Sequence, residues 1–352
     1  MKPIIICGGV GTKMWPASRR NCPKHFLPLI DGKSLFQITY DSLRKKFEAK
    51  DIFVSTNAMQ VNLVKEQEKD IPDDNFILEP EMRNHGPATG LVAAFLLKKG
   101  YGDEPFMLVQ PDDLREPEEK FFEMIDACDV LAKQDGKYIT GGIKPDYAIM
   151  GIDYLIKGEK VETKNGVNVY KVAKFVWRGA KEMVEEVVKD GQALTHSNHT
   201  CMTPNNFLEM YKKYKIDWYE PLINYINGAD LVTEYAKMPK GPIEDVTQKV
   251  HEAGESLVVE LPFEWTDIGT WESIDLYLNK KKLIQKNFEE INIESENNFT
   301  KMPDGKVVAV IGVKDLVVVD TGDALLICHK NMTGRVGEVV EKLMAEGKAE
   351  LL

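Results

Sequence analysis

The chain has 352 residues, 43% of them apolar and 29% charged, with a formal net charge of −11 at pH 7. No basic tail or stripe offsets that charge, which argues against a nucleic-acid partner, and no apolar run is long enough to span a membrane. Five singly spaced cysteines, no C-x-x-C pair and no leader pattern predict a cytoplasmic protein with free thiols.

The first element is Ile4-Ile5-Ile6-Cys7, a short apolar run that reads as a buried strand. It leads into Gly8-Gly9-Val10-Gly11, then Thr12 and Lys13. Glycines let the backbone turn tightly and approach a ligand, and successive exposed N–H groups can hold an anion. A plain strand–helix turn is the alternative reading. The P-loop order of Lys then Ser/Thr is absent, as is G-x-G-x-x-G. Residues 1–50 hold ten Lys/Arg against three Asp/Glu, among them Arg19, Arg20 and Lys24, which suits a polyphosphate.

The pattern then predicts a helix over 34–49 capped by Ser34, a strand over 51–56, a polar helix over 60–70 and a strand over 76–80. An apolar helix over 89–99, a strand over 106–109 and a helix over 117–133 follow. Such alternation predicts an α/β, mostly parallel sheet with helices on both faces and ligands beyond the strand ends. The glycine turn and Gln110-Pro111-Asp112-Asp113 both occupy such ends. From residue 138 the rhythm changes: strands over 138–143 and 169–176 with a hairpin between them, a helix over 180–189, a largely helical stretch over 203–228 whose aromatic residues read as core, a strand over 256–261 and a helix from Ile268. Residues 285–303, rich in Asn and Glu, read as an exposed linker. Strands over 307–313, 316–320 and 324–328 and a helix over 334–346 complete a small β module. The domains are thus 1–284 and 285–352.

Asp112, Asp113 and Asp267 lie near strand ends, where carboxylates can converge on one magnesium ion, although turn or cap roles would also account for each. The six histidines show neither H-E-x-x-H nor zinc spacing and read as surface or loop residues. No G-x-S-x-G elbow is present.

Several motifs in order give the chain a resemblance. They are Gly8 to Pro16 with Ser18-Arg19; Pro23-Lys24-His25-Phe26-Leu27; Glu79-Pro80 with Arg83-Asn84 and Pro87-Ala88; Asp113; and Trp265-Thr266-Asp267-Ile268-Gly269-Thr270-Trp271. The chain resembles, over essentially its whole length, the mannose-1-phosphate guanylyltransferases of the sugar nucleotidyltransferase superfamily. The resemblance implies a Rossmann-like doubly wound mixed-sheet domain and a small C-terminal all-β module of left-handed β-helix type. It implies GTP and a sugar 1-phosphate as substrates, Mg²⁺ as cofactor, and a possible homodimer. It places nucleotide binding at Gly8, Gly9, Gly11, Thr12, Lys13, Glu79, Asn84 and Pro87, catalytic positive charge at Lys13, Arg19 and Lys24, and the metal at Asp113 and Asp267.

The reaction so implied is direct attack of the sugar phosphate on the α-phosphorus of GTP, with pyrophosphate leaving and no protein nucleophile. The acceptor side departs from the family pattern. Where the family has F-x-E-K-P, this chain reads Phe175-Val176-Trp177-Arg178-Gly179, and the stretches at 148–153 (with Met150 and Gly151), 195–200 (with Asn198) and 243–245 have drifted. Carried over by position, Arg178, Asp153 and Glu244 are the sugar-phosphate candidates. A different sugar phosphate or nucleotide, or a non-catalytic nucleotide-binding role, are the alternatives.

Overall fold

The computed structural model describes all residues except Val10, 149–151, 179–180, Asn198 and Gln285, and leaves the side chains of Asp135 and Lys181 aside. The motif positions Val10, Met150, Gly151, Gly179 and Asn198 therefore lie outside the described residues.

A ten-stranded sheet forms the frame. Its order is Ala193–His196, Tyr154–Lys164, Val167–Val176, Ser256–Glu260, Tyr138–Ile143, Cys201–Met202, Phe106–Val109, Lys2–Ile6, Phe53–Thr56 and Phe76–Leu78. The last four run parallel, as the alternation of strands and helices predicts. The other end is largely antiparallel, so the sheet is mixed rather than mostly parallel. Helices cover both faces. One core gathers Ile5, Phe36, Phe121 and Val259, the other Phe106, Phe207, Tyr211 and Trp218. The aromatic series of 203–228 is core, as expected, with Phe207, Tyr211 and Trp218 fully buried.

Three expectations need correction. The hairpin after residue 138 joins Tyr154–Lys164 to Val167–Val176, through Asn165 and Gly166, both at positive φ (47° and 81°). That Asn-Gly pair is the turn's local signal. Residues 285–303 contain the strands Glu289–Ile293 and Phe299–Lys301. They pair in parallel with Val307–Ile311 and Leu316–Asp320 at an 18-residue step, one turn of a coil, after which Leu325–His329 closes antiparallel. The module is β-rich but is no complete β-helix barrel. Finally, His25, His196, His199 and His251 are buried rather than superficial.

A third core joins Met14, Trp15 and Trp271 to Val317, Leu326, Val336 and Val340, and so welds the module to the sheet domain. Among the described residues no helix is long and apolar enough to cross a membrane.

Candidate active site

The glycine turn leaves the central strand Lys2–Ile6 at its carboxyl end, where parallel strands open onto ligand clefts. Gly11 sits at φ 71°, and a Cβ there would lie 2.6 Å from Lys24 Cγ, so both backbone and space require glycine. Lys24 opens a short 3₁₀ turn, Lys24–Phe26, and is buried. Its Nζ lies 2.5 Å from Asp112 Oδ2 and donates to Ile268 O at 3.2 Å. A cleft of about 690 Å³ opens above, walled by Gly8, Gly9, Gly11, Thr12, Lys13 and Lys24, with Asp112 and Asp267 at one side and Glu79 and Asn84 at the other. The glycine turn, Lys13, Lys24 and Asp267 of the sequence reading thus meet in one place, with Asp112 beside them.

The acidic pair differs from expectation by one residue. Asp113 begins the strand Asp113–Glu116 and pairs in register with Asp267 of Glu264–Asp267. Its side chain is buried with Arg115, 3.3 Å away, and lines a different groove. Asp112 lines the cleft instead. Asp112 is the last residue of the turn and Asp113 the first of the strand that follows, so the two side chains leave the backbone toward different grooves. Burial would raise the Asp112 carboxyl, but the charges of Lys24 and His25 and the Lys24 hydrogen bond outweigh it and hold the group low. The Asp267 side chain is exposed at the cleft wall, yet its carboxyl is pushed up, first by the desolvation of the surrounding protein and then by the Asp112 charge, with Lys24 and Lys13 opposing. Two carboxylates that disfavour each other's charge fit a cation. Among the described residues no cluster of three His, Cys, Asp or Glu could hold a metal. Two carboxylates with room for phosphate oxygens are nevertheless the donor set magnesium commonly takes.

At the far end, Glu79 accepts the Tyr235 hydroxyl at 2.8 Å and the Arg83 N–H at 3.1 Å. Burial raises its pKa against both bonds. Asn84, at φ 72°, caps the helix His85–Lys98 through its side chain. That helix starts four residues earlier than the apolar pattern indicated. Pro87 is buried in its first turn and is not among the cleft's walls, because the helix turns it toward the core. His85, which the sequence reading passed over, does line the cleft.

On the acceptor side the structure joins Asp153 with Arg178. Asp153 is buried, its Oδ1 accepts the Arg178 backbone N–H at 3.0 Å, and the Arg178 Nε lies 3.5 Å away. Trp177 is 47% exposed beside them, with the Arg178 guanidinium over its ring. Glu244 is buried in the first turn of the helix Glu244–Glu252, close enough to Tyr138 and Tyr211 to raise their pKa values further after burial. Below lies a histidine pair. Thr140 Oγ1 meets His196 Nε2 at 2.8 Å, Ser256 Oγ meets His251 Nδ1 at 2.8 Å, and Phe175 stacks on His251.

Arg19 is a correction. Its guanidinium reaches Asp323 at 3.1 Å and Thr321 at 3.4 Å in the β module, and it borders a separate surface groove. Just past the turn at Pro16 the chain has left the cleft, so Arg19 is not among its walls and instead ties the β module to the first domain.

Comparisons with known proteins agree with this layout. The family described as Nucleotidyl transferase matches residues 2–147, and the MannoseP isomerase/GMP-like beta-helix domain matches 289–343. The chain is similar to the mannose-1-phosphate guanylyltransferase of Klebsiella pneumoniae, at 30% identity over 357 residues, covering 99% of this chain and 75% of that protein. It is similar to the alginate biosynthesis protein AlgA of Pseudomonas fluorescens, at 30% identity with 99% and 73% covered. Among solved structures, one from Thermus thermophilus, described as a mannose-1-phosphate geranyltransferase, superposes with a TM-score of 0.82 at 25% identity, covering 97% of this chain and 99% of that one.

Proposed function

The chain belongs to the mannose-1-phosphate guanylyltransferase family of sugar nucleotidyltransferases, and from that premise we propose that it makes GDP-mannose and pyrophosphate from GTP and mannose 1-phosphate. The observation that carries this reading is the single cleft in which the glycine turn, Lys13, Lys24, Asp112 and Asp267 converge. The backbone of Gly8, Gly9, Gly11 and Thr12 would cradle the triphosphate, and Glu79 and Asn84 would meet the base. Lys13 and Lys24 would neutralise charge that grows on the α-phosphate and leaving pyrophosphate as the acceptor phosphate attacks in line. Asp112 and Asp267 would hold Mg²⁺, which supplies positive charge to the phosphate oxygens when bound. Lys24 also keeps Asp112 ionised, and hence ready to ligate, through its 2.5 Å contact.

A second reading, transfer to a different hexose 1-phosphate, is favoured by one observation. Asp153 is already engaged by Arg178, and a half-exposed Trp177 stands beside them. The test is pyrophosphate release from four nucleoside triphosphates against several hexose 1-phosphates with Mg²⁺. GTP with mannose 1-phosphate should be the fastest pair. A faster pair with another sugar would install the second reading, and GTP binding without turnover on any sugar would sink both.

A further inference from the structure

Resting on that transfer reaction, we propose that Arg115 is a positioning residue for it: its guanidinium clamps the turn Gln110 to Asp113 and thereby fixes where Asp112 presents its carboxylate. The turn leaves the strand Phe106–Val109 with a long backbone hydrogen bond of its own, Asp113 N–H to Gln110 O at 3.4 Å. Arg115 folds back over it. Nη1 donates to Asp113 O at 2.9 Å, and Nη2 donates to Gln110 O at 3.0 Å and to Asp113 Oδ2 at 3.3 Å. Asp112 lies between the two clamped carbonyls, and its own carbonyl accepts the Ile268 N–H at 2.9 Å, so the backbone that carries its side chain cannot turn away from the cleft without breaking those bonds.

The clamp is itself anchored. Arg115 Nε donates to His199 Nε2 at 3.1 Å. Arginine can only donate, so His199 Nε2 accepts, which leaves the ring proton on Nδ1 for Ser197 Oγ at 2.9 Å. The Ser197 N–H in turn bonds Gly141 O of the sheet at 3.1 Å. The guanidinium, with its side chain 5% exposed, lies over the Phe121 ring at 4.8 Å. Four acceptors in diverging directions suit a planar five-donor fork, and an ammonium cannot serve them together. Arg115 is not a wall of the cleft, and with Asp113 it lines the groove on the other side of the turn. Its effect on chemistry therefore passes through the geometry of Asp112, in the way residues behind a metal ligand set its affinity.

The test compares the parent with R115K, which keeps the charge and loses the fork. Mn²⁺ affinity of the protein with GTP is read by electron paramagnetic resonance, alongside kcat, the KM for GTP and the melting temperature. R115K should weaken Mn²⁺ binding about 10-fold and lower kcat by more than about 10-fold, with the KM for GTP within about 3-fold. If R115K does not fold, H199Q, which withdraws the anchor, is read in the same way and should weaken Mn²⁺ binding by about 3- to 10-fold. Parent-like Mn²⁺ affinity and kcat in a folded variant would overturn the proposal, as would a parent that binds no Mn²⁺ with GTP. A parent that binds Mn²⁺ and GTP yet releases no pyrophosphate would defeat the functional reading alone, because the Mn²⁺ comparison still reports on Arg115.

Discussion

The two ends of the sheet handle polar groups in opposite ways. At the parallel end, Lys13, Lys24, Asp112, Asp267 and Glu79 open onto one cleft, and the two aspartates stand close enough to raise a pKa. At the antiparallel end, Asp153 is engaged by Arg178, and His196 and His251 are packed around Phe175. The first end partners its charges too, Lys24 with Asp112 and Glu79 with Tyr235, but leaves them lining an open cleft, whereas the second packs them away. Binding of phosphate and metal demands fixed charges in fixed places.

The sharpest test of that contrast is D267A. Turnover should fall by about 10³-fold, the scale of losing a preorganised charge at the reacting phosphates. The melting temperature should hold, because Asp267 is exposed and the Asp112 charge disfavours its ionised form. An undiminished Mg²⁺-dependent rate would remove Asp267 from the site. Next in size is R178M, which should raise the KM for the sugar phosphate about 10-fold while the KM for GTP stays within about 2-fold. Equal loss on both substrates would erase the division between the ends.

The histidine pair gives a smaller, pH-linked effect. Burial lowers His196 to about 4, and burial, then the neighbouring His196, lowers His251 to about 3. The unfolded chain takes up these protons near 6.5, well before the folded one. Stability contributed by the neutral rings is therefore complete above about pH 6.5 and is lost as pH falls from there toward about 4. H251F should remove on the order of 1–2 kcal/mol of that acid-linked loss by about pH 5, read from denaturation midpoints across the range. Smallest of all, R19M should leave kcat within about 2-fold and cost under about 1 kcal/mol, since the Asp323 partner is exposed. A drop of about 100-fold would return Arg19 to the chemistry.

Sequence alone conveyed the parallel half well, because the local signals agree there: a β-branched run, glycines at a strand end, and helices of the right period between strands. It also conveyed much of the cleft, since the glycine turn and Glu79 follow strand ends, while Lys13 and Lys24 reach it from short 3₁₀ turns that the motif match, and no spacing rule, pointed to. Asp113 was named because it matches the family's metal-binding position, and a doublet carries no local mark of which residue opens onto the cleft; the structure puts Asp112 there and pairs Asp113 with Asp267. Arg19 misled because a basic residue near a phosphate turn looks the same whether it faces the ligand or Asp323, 304 positions on. The buried histidines were illegible because no spacing rule marks their partners: Thr140 meets His196 from another strand, and Ser256 meets His251 from the strand after its helix. Asn165-Gly166 was legible and overlooked.

The glycine turn has a back as well as a front. Trp15 Nε1 donates to Leu351 O across 336 positions, Trp271 Nε1 donates to Trp15 O, and a Cβ on Gly337 would come within 3.3 Å of Thr12 Oγ1. The segment proposed to grip phosphate thus leans on a buttress built from the opposite extremity of the chain. Damage there would be felt as a slackened hold on triphosphate, with the sugar end untouched.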